Sequence, residues 1–327
     1  MFTRRSFISS ALAALVFSTG AAWAQTGSWP TRPVRIVANL PPGGSNDLLA
    51  RLLAERLQPA LGQPVIVENK PGASGNIGAD YVAKQPADGY TLLLTPSSLV
   101  INPHFFAKLP FDPIKDFEPI SLLSTVTFVL TVNAGVPAES MKEFVAHARA
   151  NPGKLTYGSA GIGQPHHLAA ELLKSMTGID IVHVPYKGAG GIVPALLGGE
   201  ISFTIGAINS LLPHIRTGKL RALGVAGGTR TPLLPDVPTI AEGVPLPGYE
   251  LTSWAGVLAP AHTPRAIVDR LSTEVNQIIR DPQMVKEKLT PLGIQAVGTS
   301  PERLMEVMKA DLALYAKLAK DANVKPE

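Results

Sequence analysis

The chain has 327 residues, of which 45% are hydrophobic and 17% charged, so its composition excludes a disordered or fibrous protein. At roughly 150 residues per domain, this length predicts about two domains. The absence of cysteine excludes a disulfide scaffold, zinc–thiolate and iron–sulfur sites and a thiol nucleophile. The net charge of +4 comes without a run of Lys or Arg, so the sequence predicts no nucleic-acid partner.

Residues 1–24 have the pattern of a signal peptide. Arg4 and Arg5 precede a short uncharged apolar stretch, and Ala22 and Ala24 place small residues just before Gln25. Because the apolar stretch is shorter than a membrane span requires, we expect cleavage and export to the periplasm rather than a retained anchor. The paired arginines also fit a twin-arginine signal, so the secretory and twin-arginine routes both remain open.

Short apolar runs alternate with helical patterns along the rest of the chain, which predicts parallel strands joined by crossover helices and hence an α/β fold. The predicted strands are 34–40, 65–67, 90–95, 155–157, 181–184, 201–205 and 220–225. The predicted helices are 48–61, 140–150 and about 166–177, with two more opened by Thr263-Pro264 and Ser300-Pro301.

Two long apolar segments rich in β-forming residues bracket the central part of the chain. They cover residues 117–132 and 251–259, and a helix-and-strand block of more ordinary pattern lies between them. Such bracketing is typical of a chain that enters a second domain and later returns to the first. The sequence therefore predicts two lobes with two connections between them.

The loop after the first predicted strand has the features of an anion-binding site. Two adjacent glycines let the backbone approach a ligand, and the helix that follows offers unpaired N–H groups. A serine and an asparagine add side-chain hydrogen bonds. For the acidic residue of this loop, an alternative is that it caps the helix and pairs with Arg51. The candidate residues are Gly43, Gly44, Ser45, Asn46 and Asp47.

Two further polar loops also end predicted strands, where ligands bind in open α/β sheets. One loop, 158–164, again joins a strand to a helix through glycines and hydroxyl and amide side chains. The other, 95–98, follows the third predicted strand. Three such loops in a chain this apolar predict a shared polar cleft. Their candidate residues are Ser97, Ser98, Ser159, Gly161, Gly163 and Gln164.

The chain lacks the motifs of common enzyme classes. A nucleophile elbow fails at Ser159, because Tyr157 stands where the first glycine is required. The glycine pattern that starts at Gly161 lacks its third glycine, so it is not a dinucleotide loop. Adjacent His166 and His167 point to different faces of a helix and suit one metal poorly. The sequence therefore predicts no catalytic residue, no cofactor and no metal.

Several stretches, in this order along the chain, resemble the Bug family of extracytoplasmic solute receptors, the binding subunits of tripartite tricarboxylate transporters. Together they span nearly all of the chain after the signal peptide. They are PPGGSNDLLAR (41–51), VENKPGASGNI (67–77), PADGYTLL (86–93), NPGKLTYGSAGIGQPHHL (151–168), HVPYKG (183–188), LPDVPTIAE (234–242) and WAGVLAPAHTP (254–264).

This resemblance implies a periplasmic binding-protein fold, in which two α/β lobes joined by two hinge strands close on a ligand. We expect residues 25–124 and 253–327 to form lobe 1 and residues 125–252 to form lobe 2. In the family, a small carboxylate lies between the lobes and is held mainly by backbone amides, hydroxyls and waters. These groups, rather than an arginine, hold the carboxylate.

The resemblance also places two further residues near the ligand. Tyr186 of the Tyr-Lys-Gly motif is expected to contact it, although a core aromatic with an exposed hydroxyl is an alternative role. Lys187 is expected to be a surface charge. Family members commonly have an aspartate where this chain has Gly206, so we expect a lost polar contact and a larger pocket there.

The function implied by the resemblance is a periplasmic receptor that captures a small organic carboxylate and delivers it to integral membrane transporter subunits. We expect a monomer without catalysis. One alternative is a sensor that presents its ligand to a signalling protein. Another alternative is a periplasmic hydrolase that uses Ser159 with His166.

Overall fold

The structure is a computed structural model that describes residues 29–321, and the predicted signal peptide lies outside these residues. Within 29–321 the chain forms eleven strands. They are β1 Val34–Ala38, β2 Val65–Asn69, β3 Thr91–Pro96, β4 Phe117–Val126, β5 Phe128–Asn133, β6 Leu155–Ser159, β7 Ile181–Pro185, β8 Phe203–Ala207, β9 Leu220–Val225, β10 Ser253–Pro260 and β11 Ile294–Ala296.

Helices alternate with these strands and cover the sheets. They are α1 Ser45–Leu61, α2 Asn76–Ala83, α3 Ser98–Ile101, α4 Met141–Ala150, α5 Pro165–Thr177, α6 Ile192–Gly198, α7 Ile208–Arg216, α8 Ile240–Gly243, α9 Arg265–Ile279, α10 Pro282–Met284 and α11 Pro301–Asp321. Among the described residues, no helix combines the length and apolar character that a membrane span requires.

The strands form two separate sheets, each the centre of one lobe. The sheet of lobe 1 has the order β11-β4-β10-β3-β1-β2, and the sheet of lobe 2 has the order β7-β6-β8-β5-β9. The chain leaves lobe 1 at Thr127, between β4 and β5. It returns at Thr252, because Leu251 still bonds the lobe 2 backbone at Ala226 whereas Ser253 pairs with Val126 of β4. The two-lobed α/β fold with two connecting strands is confirmed.

Both sheets are mixed, whereas the alternation of strands and helices predicted parallel pairing. β1 pairs in parallel with β2 and β3, and β6 pairs in parallel with β7 and β8. The strands next to the crossings, β4, β10 and β5, pair antiparallel with their neighbours. They run antiparallel because each continues directly from, or into, the other lobe rather than through a crossover helix.

Local sequence signals explain most of the elements. Four of the five residues of β1 are buried, as expected for a strand that helices cover on both faces. Leu49, Leu53 and Leu57 of α1 lie on one face and are buried, and each stabilises the fold by roughly 2 kcal/mol. Thr263, predicted to cap α9, instead donates its hydroxyl to the Pro260 carbonyl, and the helix begins without a side-chain cap.

Candidate ligand-binding cleft

A cavity of about 200 Å³ lies between the two lobes. Lobe 1 contributes the loop 40–46 and residues 253–255 of β10. Lobe 2 contributes residues 164–166 at the start of α5 and residues 207, 209 and 210 at the start of α7. The cavity therefore lies where the carboxyl ends of β1, β6 and β8 lead into helices, as the rule for open α/β sheets predicts.

Three helices begin at this cavity: α1 from lobe 1, and α5 and α7 from lobe 2. The first turn of a helix leaves backbone N–H groups without partners inside the helix, and the helix dipole adds partial positive charge there. The shortest of the three helices has 9 residues, enough for an aligned dipole. The convergence of their first turns makes the cavity suited to an anion.

Three polar side-chain atoms at this cavity have no hydrogen-bond partner among the described residues. They are Nδ2 of Asn46, Nδ1 of His166 and Oδ1 of Asn209. The side chains of Asn46 and His166 are each only 8% exposed. Buried polar atoms normally have partners, so these atoms are positioned to bond a ligand.

A hydrogen bond joins the lobes across this cavity. Nδ2 of Asn209, on lobe 2, donates to the hydroxyl of Ser45, on lobe 1, over 2.9 Å. Both residues line the cavity. The lining of the cavity therefore includes a pair of residues that meet only when the lobes are together.

In the described part of the chain, no Asp, Glu, Lys or Arg lines this cavity. Its one ionisable residue is His166, whose pKa burial lowers to about 4, so the imidazole is neutral near pH 7. Its ring packs edge-on against Phe128 at 4.9 Å. The described lining therefore offers dipoles and N–H donors to an anion and offers no carboxylate partner to an ammonium group.

Asp47 does not line the cavity, but it holds the loop 40–46 in place through a hydrogen bond to the loop backbone. Its carboxylate accepts a hydrogen bond from the Gly43 N–H over 3.0 Å and pairs with Arg51 over 3.0 Å. Asn69 donates a further bond over 3.0 Å. Burial acts to raise the pKa of Asp47, but the bonds from Arg51 and the other two donors outweigh it and lower the pKa. These contacts satisfy the carboxylate within the protein and hold the glycine loop in place.

The structure brings together only some of the residues that the sequence singled out. Five line the cavity: Gly43, Gly44, Ser45, Asn46 and Gln164. Two, Gly161 and Tyr186, line a neighbouring cavity. Ser97 and Ser98 are fully buried behind Pro96, and Ser97 contacts the hydroxyl of the lining residue Ser253 at 3.3 Å.

Ser159 is fully buried and does not pair with His166. Its hydroxyl lies 2.6 Å from Nε2 of His183 and also bonds the Gly161 backbone. His183 stacks on His167 at 4.1 Å. Ser159 therefore fixes the turn at the end of β6, and the pair required by the hydrolase alternative is not formed.

Gly206 lies inside β8, and Ala207 rather than Gly206 lines the cavity. A Cβ added at Gly206 would lie 3.3 Å from Leu211 and 3.4 Å from Thr204. The space beside Gly206 is thus already occupied by neighbouring side chains, and the enlarged pocket expected there is not seen.

The sequence reasoning missed several residues of the cleft. Asn209 and Ser210 belong to a helix start without a glycine loop, and in the sequence His166 has a role only in the hydrolase alternative. Val126, Phe128, Val193 and Trp254 supply an apolar wall that no local motif marks. The indole N–H of Trp254 donates to Asp311 over 2.7 Å, which fixes the ring.

The two lobes also contact each other through the hydroxyl and the backbone carbonyl of Ser74. This residue has a positive φ of 57° in a lobe 1 turn, and its hydroxyl donates to the Ile162 carbonyl of lobe 2. Its own carbonyl accepts a bond from Nε2 of Gln164 over 2.8 Å. Gln164 also lines the cavity, so one side chain contacts both the ligand space and the opposite lobe.

Because three histidines of lobe 2 are buried or half-buried, we expect acid to destabilise the protein. Burial lowers the pKa of His166 and His183 to about 4 and that of His167 to about 3, and nearby charges contribute less for His183 and His167. Unfolded histidine titrates near pH 6.5, so the unfolded chain binds more protons as the pH falls from about 6.5 to about 4. Stability therefore decreases with falling pH in this window, by about 1.4 kcal/mol per pH unit for each histidine.

Denaturant unfolding of the protein and of His167→Gln between pH 7.5 and pH 5 measures this effect. Below pH 6.5 the free energy of unfolding should fall less steeply with pH in the variant than in the wild type. The two slopes should differ by about 1.4 kcal/mol per pH unit. Parallel curves for the two proteins would show that His167 ionises normally in the folded state.

The chain is similar to known proteins over most of its length. The profile of the family described as "Tripartite tricarboxylate transporter family receptor" matches residues 49–324. Protein BugT of Bordetella pertussis is 35% identical over 300 residues, which cover 91% of each chain.

Two solved structures of R. palustris proteins are also similar. Rpa4515 with adipate has a TM-score of 0.87 and 37% identity, over 91% of this chain and 100% of that one. MatC with bound malate has a TM-score of 0.81 and 30% identity, over 89% of this chain and 99% of that one.

Proposed function

Because the chain belongs to the tripartite tricarboxylate transporter receptor family, we propose that its interlobe cavity captures a small organic carboxylate in the periplasm. The observation that carries this proposal is the meeting of three helix starts at a cavity whose described lining has no charged side chain. Adipate and malate, the ligands of the two similar proteins, are both carboxylates.

We propose that the ligand carboxylate bonds the first-turn N–H groups of α1 and the side chain of Asn46. The other face of the ligand then meets α5 and α7 of lobe 2, including His166 and Asn209. The apolar wall around Phe128 and Trp254 covers the carbon skeleton. Since these groups come from both lobes, ligand binding favours the closed arrangement.

We propose that the membrane subunits of the transporter recognise the closed lobes and receive the ligand. Residues 1–24 would direct export to the periplasm, and the lobes would divide at Thr127 and Thr252, close to the predicted boundaries. The protein would act as a monomer and without catalysis. The fully buried Ser159, paired with His183, supports binding rather than hydrolysis.

A thermal-shift screen over small mono-, di- and tricarboxylates tests the proposed function. A ligand present at 100 times its dissociation constant adds about 2.7 kcal/mol of stability, a clear rise in melting temperature. We expect at least one carboxylate to give this rise and the matching neutral amides to give none. A screen in which amides stabilise the protein as well as the acids do would contradict an anion site.

A further inference from the structure

Residues 159–164 of lobe 2 lie against lobe 1 beside the cavity, and this segment is named the closing loop. Its Ile162 carbonyl accepts a hydrogen bond from the Ser74 hydroxyl of lobe 1. A Cβ on Gly163 would lie 2.5 Å from Oδ1 of Asn102, so lobe 1 packs directly on the backbone of the loop. The closed arrangement therefore depends on the position of this backbone.

The side chain of His167 holds the closing loop from within lobe 2. Its Nδ1 accepts a hydrogen bond from the Gly163 N–H over 3.3 Å. A ring nitrogen accepts only while it carries no proton, so this bond requires a neutral imidazole with its hydrogen on Nε2. Protonation would turn Nδ1 into a donor that faces another donor. The position of Gly163 therefore depends on the charge of His167.

The groups of lobe 2 around His167 disfavour a positive charge on its ring. His183 of β7 stacks on the ring with centroids 4.1 Å apart, and Tyr157 of β6 lies at 6.4 Å. The charge of Lys174, on the same helix, opposes a proton on the ring as well. Glu171 of this helix accepts a bond from the Tyr157 hydroxyl, and in the described chain no carboxylate bonds His167.

Lobe 1 covers His167 with an uncharged ring. Phe105 packs on it with ring centroids 5.0 Å apart. The adjacent His104 instead bonds the Leu312 carbonyl of α11 over 3.0 Å, and Asp311 of α11 accepts a bond from an indole of lobe 1. Because Phe105 belongs to lobe 1, the imidazole loses this cover when the lobes separate.

This difference in cover makes proton binding and lobe closure oppose each other. Burial is the main cause that lowers the pKa of His167, to about 3 in the closed arrangement. An imidazole that water reaches has a pKa nearer 6.5. Open lobes therefore take up a proton at His167 more readily than closed lobes do. Burial also lowers the pKa of His166, which faces the cavity, so a test has to separate the two histidines.

We propose that His167 is a positioning residue for lobe closure, and that proton uptake by its imidazole opens the lobes and releases the bound carboxylate. This inference rests on the proposed function, because it concerns the same interlobe cavity. The proton removes the acceptor of the Gly163 N–H, and the closing loop then no longer fits against lobe 1. Affinity is therefore lower in acid than at neutral pH.

Titration calorimetry of adipate and malate at about pH 7.5 and about pH 5.5 tests this proposal. If neither binds, the acid with the largest shift in the thermal screen replaces them. The proteins are the wild type, His167→Asn, His167→Leu and the control His262→Asn. Asparagine places Oδ1 where histidine has Nδ1, so it keeps the acceptor but takes up no proton, whereas leucine supplies neither. His262 is exposed on lobe 1, lines neither cavity and has φ +67°, which asparagine adopts readily.

On going to the lower pH, the wild type and His262→Asn should lose about three- to tenfold more affinity than His167→Asn loses. Protonation of the ligand is the same for all proteins and cancels from this comparison, as does titration of His166. At the higher pH, His167→Asn should bind within about twofold of the wild type. His167→Leu leaves the Gly163 N–H unpaired and should bind at least about fivefold more weakly.

Nuclear magnetic resonance follows the same proton in the wild type. The Cε1–H signal of His167 is assigned by its absence from the spectrum of His167→Asn. With saturating ligand this signal should titrate at least about one pH unit lower than in the ligand-free protein.

Three results would contradict these expectations. Equal losses of affinity in the wild type and His167→Asn, or equal titration with and without ligand, would overturn the proton link and leave the proposed function intact. Equal affinities of His167→Asn and His167→Leu at the higher pH would overturn the positioning role. Failure of every screened carboxylate to bind the wild type would instead contradict the proposed function, and this inference with it.

Discussion

Replacing Gly44 by valine should weaken carboxylate binding at least about 100-fold, or about 2.7 kcal/mol, while the protein stays folded. Gly44 lies at the start of α1 with φ −87° and ψ 173°, an extended conformation that valine adopts readily. An added Cβ there meets no atom of the described chain within 4 Å, because it points into open space. Gly44 lines the cavity, so the branched side chain would occupy the ligand volume and cover the N–H groups of α1.

Two further variants distinguish steric blockade of the cavity from a general loss of protein stability. Gly227→Val adds the same atoms at a non-strained glycine outside the cavity, where the nearest atoms lie 3.8 Å from the new Cβ. It should bind like the wild type. Asp47→Asn should lower stability more than affinity, because Asp47 supports the loop from behind. Calorimetric affinities that fall equally in Gly44→Val and Asp47→Asn would assign Asp47 to the ligand contacts instead.

Gly163→Ala should prevent full closure and weaken binding at least about tenfold, or about 1.4 kcal/mol. A Cβ at Gly163, on lobe 2, would lie 2.5 Å from Oδ1 of Asn102 and 3.4 Å from Phe105 and Phe106, all on lobe 1. Asn102 is itself held by hydrogen bonds to Ser74 and Asn76, so it does not move aside freely. The lobes of the variant therefore stop short of the arrangement in this structure.

The control for Gly163→Ala is Gly178→Ala at the other end of the same helix. Gly163 has φ +70° and Gly178 has φ +68°, so alanine is strained equally at both positions. A Cβ at Gly178 meets no atom of the described chain within 4 Å. Small-angle scattering should show compaction on ligand addition for Gly178→Ala and for the wild type, but little for Gly163→Ala. Equal compaction and equal affinity in both variants would contradict a closure contact at Gly163.

The parts of the fold that were predictable from the sequence are those encoded locally. The helix predicted for residues 140–150 is α4, and Ser140 caps its start by accepting a hydrogen bond from the Glu143 N–H over 3.2 Å. Ser300 likewise accepts a bond from the first turn of α11. The antiparallel strands were not predictable in this way, because their direction depends on where a crossing strand meets a partner far along the chain.

The same distinction applies to the cleft. The loop at Gly43 and Gly44 was recognisable, because glycines before a helix have a local physical reason. Asn209 reaches the cavity only because β8 and β1 end at the same interlobe space, and its partner Ser45 is 164 positions away. Ser159 and Ser97 look like binding residues in the sequence, but packing buries both completely and leaves Gln164 and Ser253 at the cavity.

Titration calorimetry of the best carboxylate from the screen, against its 2-amino derivative, tests the central claim most directly. Within the described chain no carboxylate lines the cavity, and that of Asp47 is already bound to Arg51 and Gly43, so a buried ammonium would stay unpaired. The account predicts that the amino derivative binds at least tenfold more weakly, a difference of about 1.4 kcal/mol. An amino derivative that binds as tightly as the parent carboxylate, or more tightly, would contradict the account.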